Sequence, residues 1–188
     1  VSYSNIVYGN EVQYPDLFEN GSRAFTEDHP EVVQGLQALW NQDNGTGRVV
    51  TMSAQGLVDA GGSLARWLAQ VPTEVSQHID LDLPGNPSGG GSDYASFMCW
   101  GAPGFNLSAL GWNYSTHTWH SNRDTFDKLV FGDIRNNAVL TASLAYLASE
   151  DDQFTSRRQR TVITGLGGEP GSWPTCRPAE RSSPNSDR

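Results

Sequence analysis

Between Tyr114 and Lys128 the chain reads Tyr-Ser-Thr-His-Thr-Trp-His-Ser-Asn-Arg-Asp-Thr-Phe-Asp-Lys, which places His117, His120, Asp124, Asp127 and three aromatic residues in one short stretch. A neutral imidazole can ligate a metal or move a proton, and a neighbouring carboxylate can fix its tautomer. The stretch therefore points to a metal site or an acid/base site centred on His120, the plainer alternative being a hydrogen-bonded loop histidine. Three further acidic residues stand where a shared site would draw them. Glu11 and Asp43 each lie just beyond a predicted strand, and Asp93 follows the Gly89-Gly-Gly run. Asp43 could equally cap the Asn44-Gly45 turn, and Asp93 could equally be a helix N-cap.

The elements that must position these residues are readable in order. Residues 3 to 8 read as a strand ending at Gly9-Asn10-Glu11, and a helical pattern opens at Pro15-Asp16 and fades at His29-Pro30. Leu36 to Trp40 reads as a second strand, delivering Asp43 and the Asn44-Gly-Thr-Gly47 turn. Arg48 to Met52 is either a short strand or a loop entry. Ser63 to Val71 is predicted helical with Ser63 as its cap and Pro72 as its stop, and Ile79 to Leu83 alternates as a strand. A short helix starts at Asp93, a strand is expected over 104 to 110, and Ile134 to Leu147 carries the clearest helical period. Strands alternating with helices predict an α/β layer fold with a mainly parallel sheet, in which ligands gather at the C-terminal ends of strands.

Composition excludes several classes. A net charge of −9 over 188 residues argues against sequence-independent nucleic-acid binding, which needs Lys and Arg to neutralise phosphates. No apolar run approaches the roughly 20 residues needed to span a bilayer. The Gly89-Gly-Gly91 run lacks the Lys-Ser/Thr and helix of a phosphate loop, and no Gly-x-Ser-x-Gly elbow occurs. Cys99 and Cys176 could form one disulfide or remain two thiols; a bridge would suit an exported protein, either periplasmic, cell-surface or extracellular. Residues 151–188 read as a C-terminal extension to a domain over 1–150, the last dozen residues being polar enough to be disordered. The chain also reads as opening inside a strand, so an N-terminally truncated domain is expected.

Three separated patterns carry a resemblance. Trp119-His-Ser-Asn-Arg-Asp124-Thr-Phe-Asp127 resembles the His-Thr-x-x-Asp-Thr segment near the end of M28-family zinc peptidases. Ser92-Asp-Tyr-Ala-Ser-Phe97, followed by Gly101-Ala-Pro-Gly-Phe105, is similar to that family's Ser-Asp-His-x-Pro-Phe segment and its Gly-x-Pro strand. Gln42-Asp43 stands in the place of the family's strand-end aspartate. The resemblance covers residues 1–150 and implies the C-terminal portion of a three-layer zinc exopeptidase domain, with helices flanking a central sheet.

That resemblance implies two zinc ions per intact site, a peptide substrate and hydrolysis of a terminal peptide bond by metal-activated water. His120, Asp43 and Glu11 take the places of metal ligands. Asp93, Tyr94, Tyr114 and Asp124 take places around the pocket, Asp124 orienting the loop or the imidazole. An aspartate at position 43 leans toward an aminopeptidase. Asn10 falls where the family carries its general base, and an amide cannot accept a proton from metal-bound water. A second register, counted back from Gly21-Ser22, puts Pro15-Asp16 in that place instead. The family's His-x-Asp ligand motif and its bridging aspartate have no counterpart, which the expected truncation would explain. The alternative is an M28-like binding or scaffold domain that has lost its base.

Overall fold

In a computed structural model of the chain, residues 19–43, 45–164 and 169–181 are described. The predicted first strand, Asn10, Glu11 and Pro15-Asp16 lie outside them, as do residues 182–188. The described elements begin with helices α1 (Asn20–Asp28) and α2 (Pro30–Gly35), strands β1 (Leu39–Gln42) and β2 (Val49–Ser53), and helices α3 (Ala60–Leu68) and α4 (Thr73–Ser76). There follow β3 (Asp80–Asp82), α5 (Tyr94–Met98), β4 (Gly104–Ala109), a π-helical turn (Tyr114–Thr118), a 3-10 turn (Phe126–Lys128) and α6 (Phe131–Ser149). A small antiparallel ribbon of β5 (Ile163–Thr164) and β6 (Glu169–Pro170) closes the series.

Four strands form one sheet in the order β1-β4-β2-β3. β1 pairs with β4 and β2 with β3 in parallel, whereas β2 and β4 at the centre run antiparallel. The sheet is therefore mixed, with parallel pairs on either side of an antiparallel junction. The expected α/β class stands; strand direction is set by connections that periodicity does not encode. A register shift between Val49 and Thr51 lets Val49 and Met52 both reach the core despite their odd spacing.

Helices cover both faces. On one, Val49, Met52, Phe105 and Leu107 of the sheet pack against Leu64 and Trp67 of α3 and Leu140 and Leu144 of α6, all essentially sealed from solvent. On the other, Leu39 of β1 meets Val33 of α2, Phe97 of α5 and Phe25 of α1. Successive residues Leu39 and Trp40 thus point to opposite layers, as a strand requires. Burial of such side chains, each worth about 1.5–3 kcal/mol, is what holds the three layers together. β3 lies at a sheet edge, where exposed Asp80 and Asp82 discourage pairing with another chain.

Some boundaries differ from expectation. α2 follows the point where the helical pattern fades, because Pro30 sits at the N-terminal turn, where a missing N–H costs nothing, and Val33 finds a buried place. β1 starts at Leu39, since Leu36 closes α2 and the strand register runs Leu39 to Gln42 against Gly104 to Leu107. Ser63 is not a cap. It is buried within α3, which begins at Ala60 because Gly61 packs against Leu83, where a Cβ would stand 2.8 Å from a methyl carbon.

Candidate functional site

The site is built at the C-terminal end of β1, with residues arriving from three distant segments. Asp43 follows the last residue of β1, and its backbone carbonyl accepts a hydrogen bond from the Tyr114 hydroxyl at 3.2 Å. Asn41, still within β1, donates from Nδ2 to Ser92 Oγ at 2.8 Å. That bond leaves the Ser92 hydroxyl hydrogen available to Asp43. The residue Asp43 is exposed overall, but protein crowds its carboxyl. Burial pushes its pKa above the ordinary value; the Ser92 hydroxyl opposes this, Asp93 reinforces it, and the charge of His120 opposes it. Asp43, Ser92, Asp93 and His120 therefore share one electrostatic neighbourhood.

His120 occupies the left-handed region, φ 52°, and its ring stacks on Trp119 with centroids 4.6 Å apart. The turn before it is tied down by the Thr118 hydroxyl donating to the Tyr114 carbonyl and by Ser121 Oγ donating to the carbonyls of His117 and Thr118. His117 is exposed, its Nδ1 2.8 Å from Thr116 Oγ1. Asp124 is exposed and, after burial and Asp43, contributes to raising the Tyr114 pKa. Asp93 precedes α5 and makes no side-chain capping hydrogen bond. Tyr94 is buried, and burial raises its pKa against the pull of Ser88, with Glu19 and Asp43 adding to the rise.

The connection after Asp43 is fixed by α6. Asn137 accepts from the Val49 N–H at 2.9 Å and donates to the Gly47 carbonyl at 2.8 Å, both bonds buried. One turn earlier, Asp133 Oδ2 accepts from the Arg48 N–H at 3.0 Å and from Trp112 Nε1 at 2.7 Å. A single helix face thus holds the loop after β1 and the start of the His120 loop. Gly47 is required there, because a Cβ would sit 1.9 Å from the Leu110 carbonyl oxygen.

Three residues of this arrangement escape sequence reasoning. Asn137 and Asp133 sit at the start of the stripe that continues with Leu140 and Leu144, and two polar residues on a buried helical stripe are the signal that would reveal them. Glu19 gives no sequence signal. It adopts φ 62° and lies only 4% exposed, and its Oε1 is sealed from solvent without a hydrogen-bond partner among the described residues. Burial raises its carboxyl pKa, while Arg23, 3.5 Å away, and the backbone N–H groups of Gly91 and Ser92 act the other way. Ser92 accordingly lies between two carboxyls, its N–H toward Glu19 and its hydroxyl toward Asp43.

A carboxylate and an imidazole are donor types that zinc accepts, and a catalytic zinc normally takes three protein ligands. Among the described residues, no group of three or more His, Cys, Asp or Glu side chains converges to hold a metal ion. Asp43 and His120 supply the right chemistry but not a complete centre, and Glu11 lies outside the described residues. Among the described residues, no helix is long and apolar enough to cross a membrane.

The arrangement is that of an α/β domain with helices on both faces of a mixed sheet and an acidic, imidazole-bearing site at a strand end. A solved structure is similar in fold: the crystal structure of a peptidase M28 precursor from Shewanella amazonensis SB2B, with a TM-score of 0.61 and 17% identity, matched over 74% of this chain and 30% of that one. At that identity the likeness is one of fold, and the chain spans less than a third of that protein's length. No family model and no curated protein matches the chain.

Proposed function

We propose that the chain is part of a zinc-dependent exopeptidase of the M28 type, an aminopeptidase by the aspartate at position 43. One observation carries this reading: Asp43, Ser92-Asp93 and His120, which come from separate segments, share one electrostatic neighbourhood beyond the end of β1, in a fold like that of a peptidase M28 precursor. In this reading Asp43 and His120 are metal ligands and Glu11 is a third. A two-zinc site needs more ligands than these three residues supply. Bound zinc would polarise the scissile carbonyl and acidify a water.

The chain's own residues have simpler tasks. The Ser92 hydroxyl stabilises Asp43 in its ionised form, the form a metal ligand needs. Tyr114 ties the backbone of Asp43 to the His120 loop, and the stack on Trp119 limits the imidazole's freedom to rotate. Action on peptides fits an export route, in which a disulfide such as Cys99–Cys176 can form.

A second reading is favoured by Asn10, which stands where the resemblance puts the general base: an M28-like binding or scaffold domain that holds peptide without cleaving it. The two separate on a panel of peptides with free or acetylated N-termini, incubated with the longest natural form of the protein and zinc. Release of N-terminal amino acids from the free peptides alone supports the aminopeptidase. Peptide retention without release, unaltered by Asn10→Glu, supports the binding domain.

A further inference from the structure

Segment 171–181 crosses both helices that begin at the site. Trp173 Nε1 donates to the Met98 carbonyl at 3.0 Å, and Cys176 is disulfide-bonded to Cys99 at the end of α5. Further along, Glu180 and Asn20 exchange two hydrogen bonds: the Glu180 N–H donates to Asn20 Oδ1 at 2.7 Å, and Asn20 Nδ2 donates to the Glu180 carbonyl at 2.9 Å. The Ala179 N–H donates to Glu27 Oε1 at 2.7 Å, and Arg181 reaches Asp28 at 2.8 Å. The strap therefore grips α1 at both ends and α5 at its C-terminal end.

What it grips is held mainly through polar side chains. The buried residues of α1 are Asn20, Ser22, Arg23 and Thr26, all polar, and its link to α5 includes the 2.9 Å contact between Ser22 Oγ and Ser96 Oγ. Its apolar residues, Ala24 and Phe25, are only partly buried, Phe25 packing against Phe97. A helix docked through polar groups lacks the apolar burial that holds α3 and α6, so the strap supplies a large share of its restraint. α1 and α5 are also the elements that set the site. Glu19, just before α1, interacts with the backbone of Gly91 and Ser92, and Asp93 opens α5.

We propose that the Cys99–Cys176 disulfide is a redox-controlled latch on this strap. Closed, it holds α1 and α5 so that Ser92 meets Asp43. Opened, it frees the strap and loosens α1 and the 88–98 segment while the sheet and α6 stay folded. Neither cysteine is fully buried, so a dithiol can reach the bond. One thiolate of the dithiol attacks a disulfide sulfur, the mixed disulfide is resolved by the second, and two protons and two electrons pass to Cys99 and Cys176 as the dithiol becomes its own disulfide. The latch does not depend on what the site binds.

Hydrogen exchange read by mass spectrometry on the folded protein, before and after dithiothreitol, tests this. Exchange is expected to accelerate by about tenfold or more in 20–28, 94–98 and 171–181, with 49–53, 104–109 and 131–149 unchanged, and to recover on reoxidation. Cys176→Ser should show the reduced pattern without reductant. Unchanged exchange in α1 and α5 after reduction would overturn the proposal. So would equal acceleration in the sheet and α6, which would make the bond a global staple.

Discussion

Replacing Asn137 by alanine removes both partners of a buried backbone pair at once. The Val49 N–H, now bonded at 2.9 Å, loses its acceptor, and the Gly47 carbonyl, at 2.8 Å, loses its donor. Val49 is fully buried and Asn137 only 5% exposed, so bulk water does not readily replace either bond. Leaving a buried polar group unsatisfied costs about 1–3 kcal/mol, so two such groups predict a loss of about 2–6 kcal/mol. Water entering the space left by the amide would bring the result toward the lower end. With about 2–4 °C per kcal/mol for a chain of this size, the expected fall in Tm is roughly 4–24 °C. Urea titration followed by tryptophan fluorescence measures the free energy, and an unchanged m value shows that the native state keeps its compactness. Asn137→Asp keeps an acceptor for Val49 but cannot donate to Gly47, and it buries a charge one turn from Asp133. It should be no more stable than the alanine variant. A loss below about 0.5 kcal/mol for Asn137→Ala, the range of an ordinary surface substitution, would refute the claim that α6 anchors the loop after Asp43.

Substitutions at two further positions test the carboxyl beside Ser92 and the end of α2. Burial raises the Glu19 pKa from its ordinary 4.5, so the folded state holds the proton more tightly than the unfolded state; stability contributed at low pH is then lost as pH rises through that window. Relative to Glu19→Gln, the wild-type protein should lose stability in thermal melts as pH rises above the ordinary value of 4.5, and a gain would show that Arg23 outweighs burial. The guanidinium of Arg157 donates to the carbonyls of Val33, Gln34 and Leu36 at the end of α2, so Arg157→Ala should cost about 1–3 kcal/mol in the same titration and Arg157→Lys should recover less than half. Equal stability of all three proteins would mean that the α2 terminus is held by other contacts.

The legibility of these features follows from the range over which each is determined. The period of α6, the alternation of β3 and the strand at 104–109 depend on neighbours within a few residues, and they were readable. The antiparallel junction of β2 and β4 depends on where the chain travels between them, which no local pattern records. α2 and the early start of α3 rest on tertiary contacts: Val33 beside Phe97, and Gly61 beside Leu83. The Cys99–Cys176 bond joins residues 77 apart, so the sequence left two states open. At the site, Asp43, Asp93 and His120 stood out because strand ends and a dense polar loop mark them. Glu19 and Asn137 did not, since their roles come from Ser92 and Val49, which lie 73 and 88 positions away by residue number.

The central claim is that Asp43 and His120 are metal ligands. Zinc content after metal loading and gel filtration, measured by elemental analysis on the longest natural form of the protein and on Asp43→Ala and His120→Ala, addresses it directly. The account predicts zinc bound in stoichiometric amount by the wild type and diminished in each variant, with circular dichroism unchanged. A folded wild type without zinc, or variants that retain as much zinc as the wild type, would contradict it.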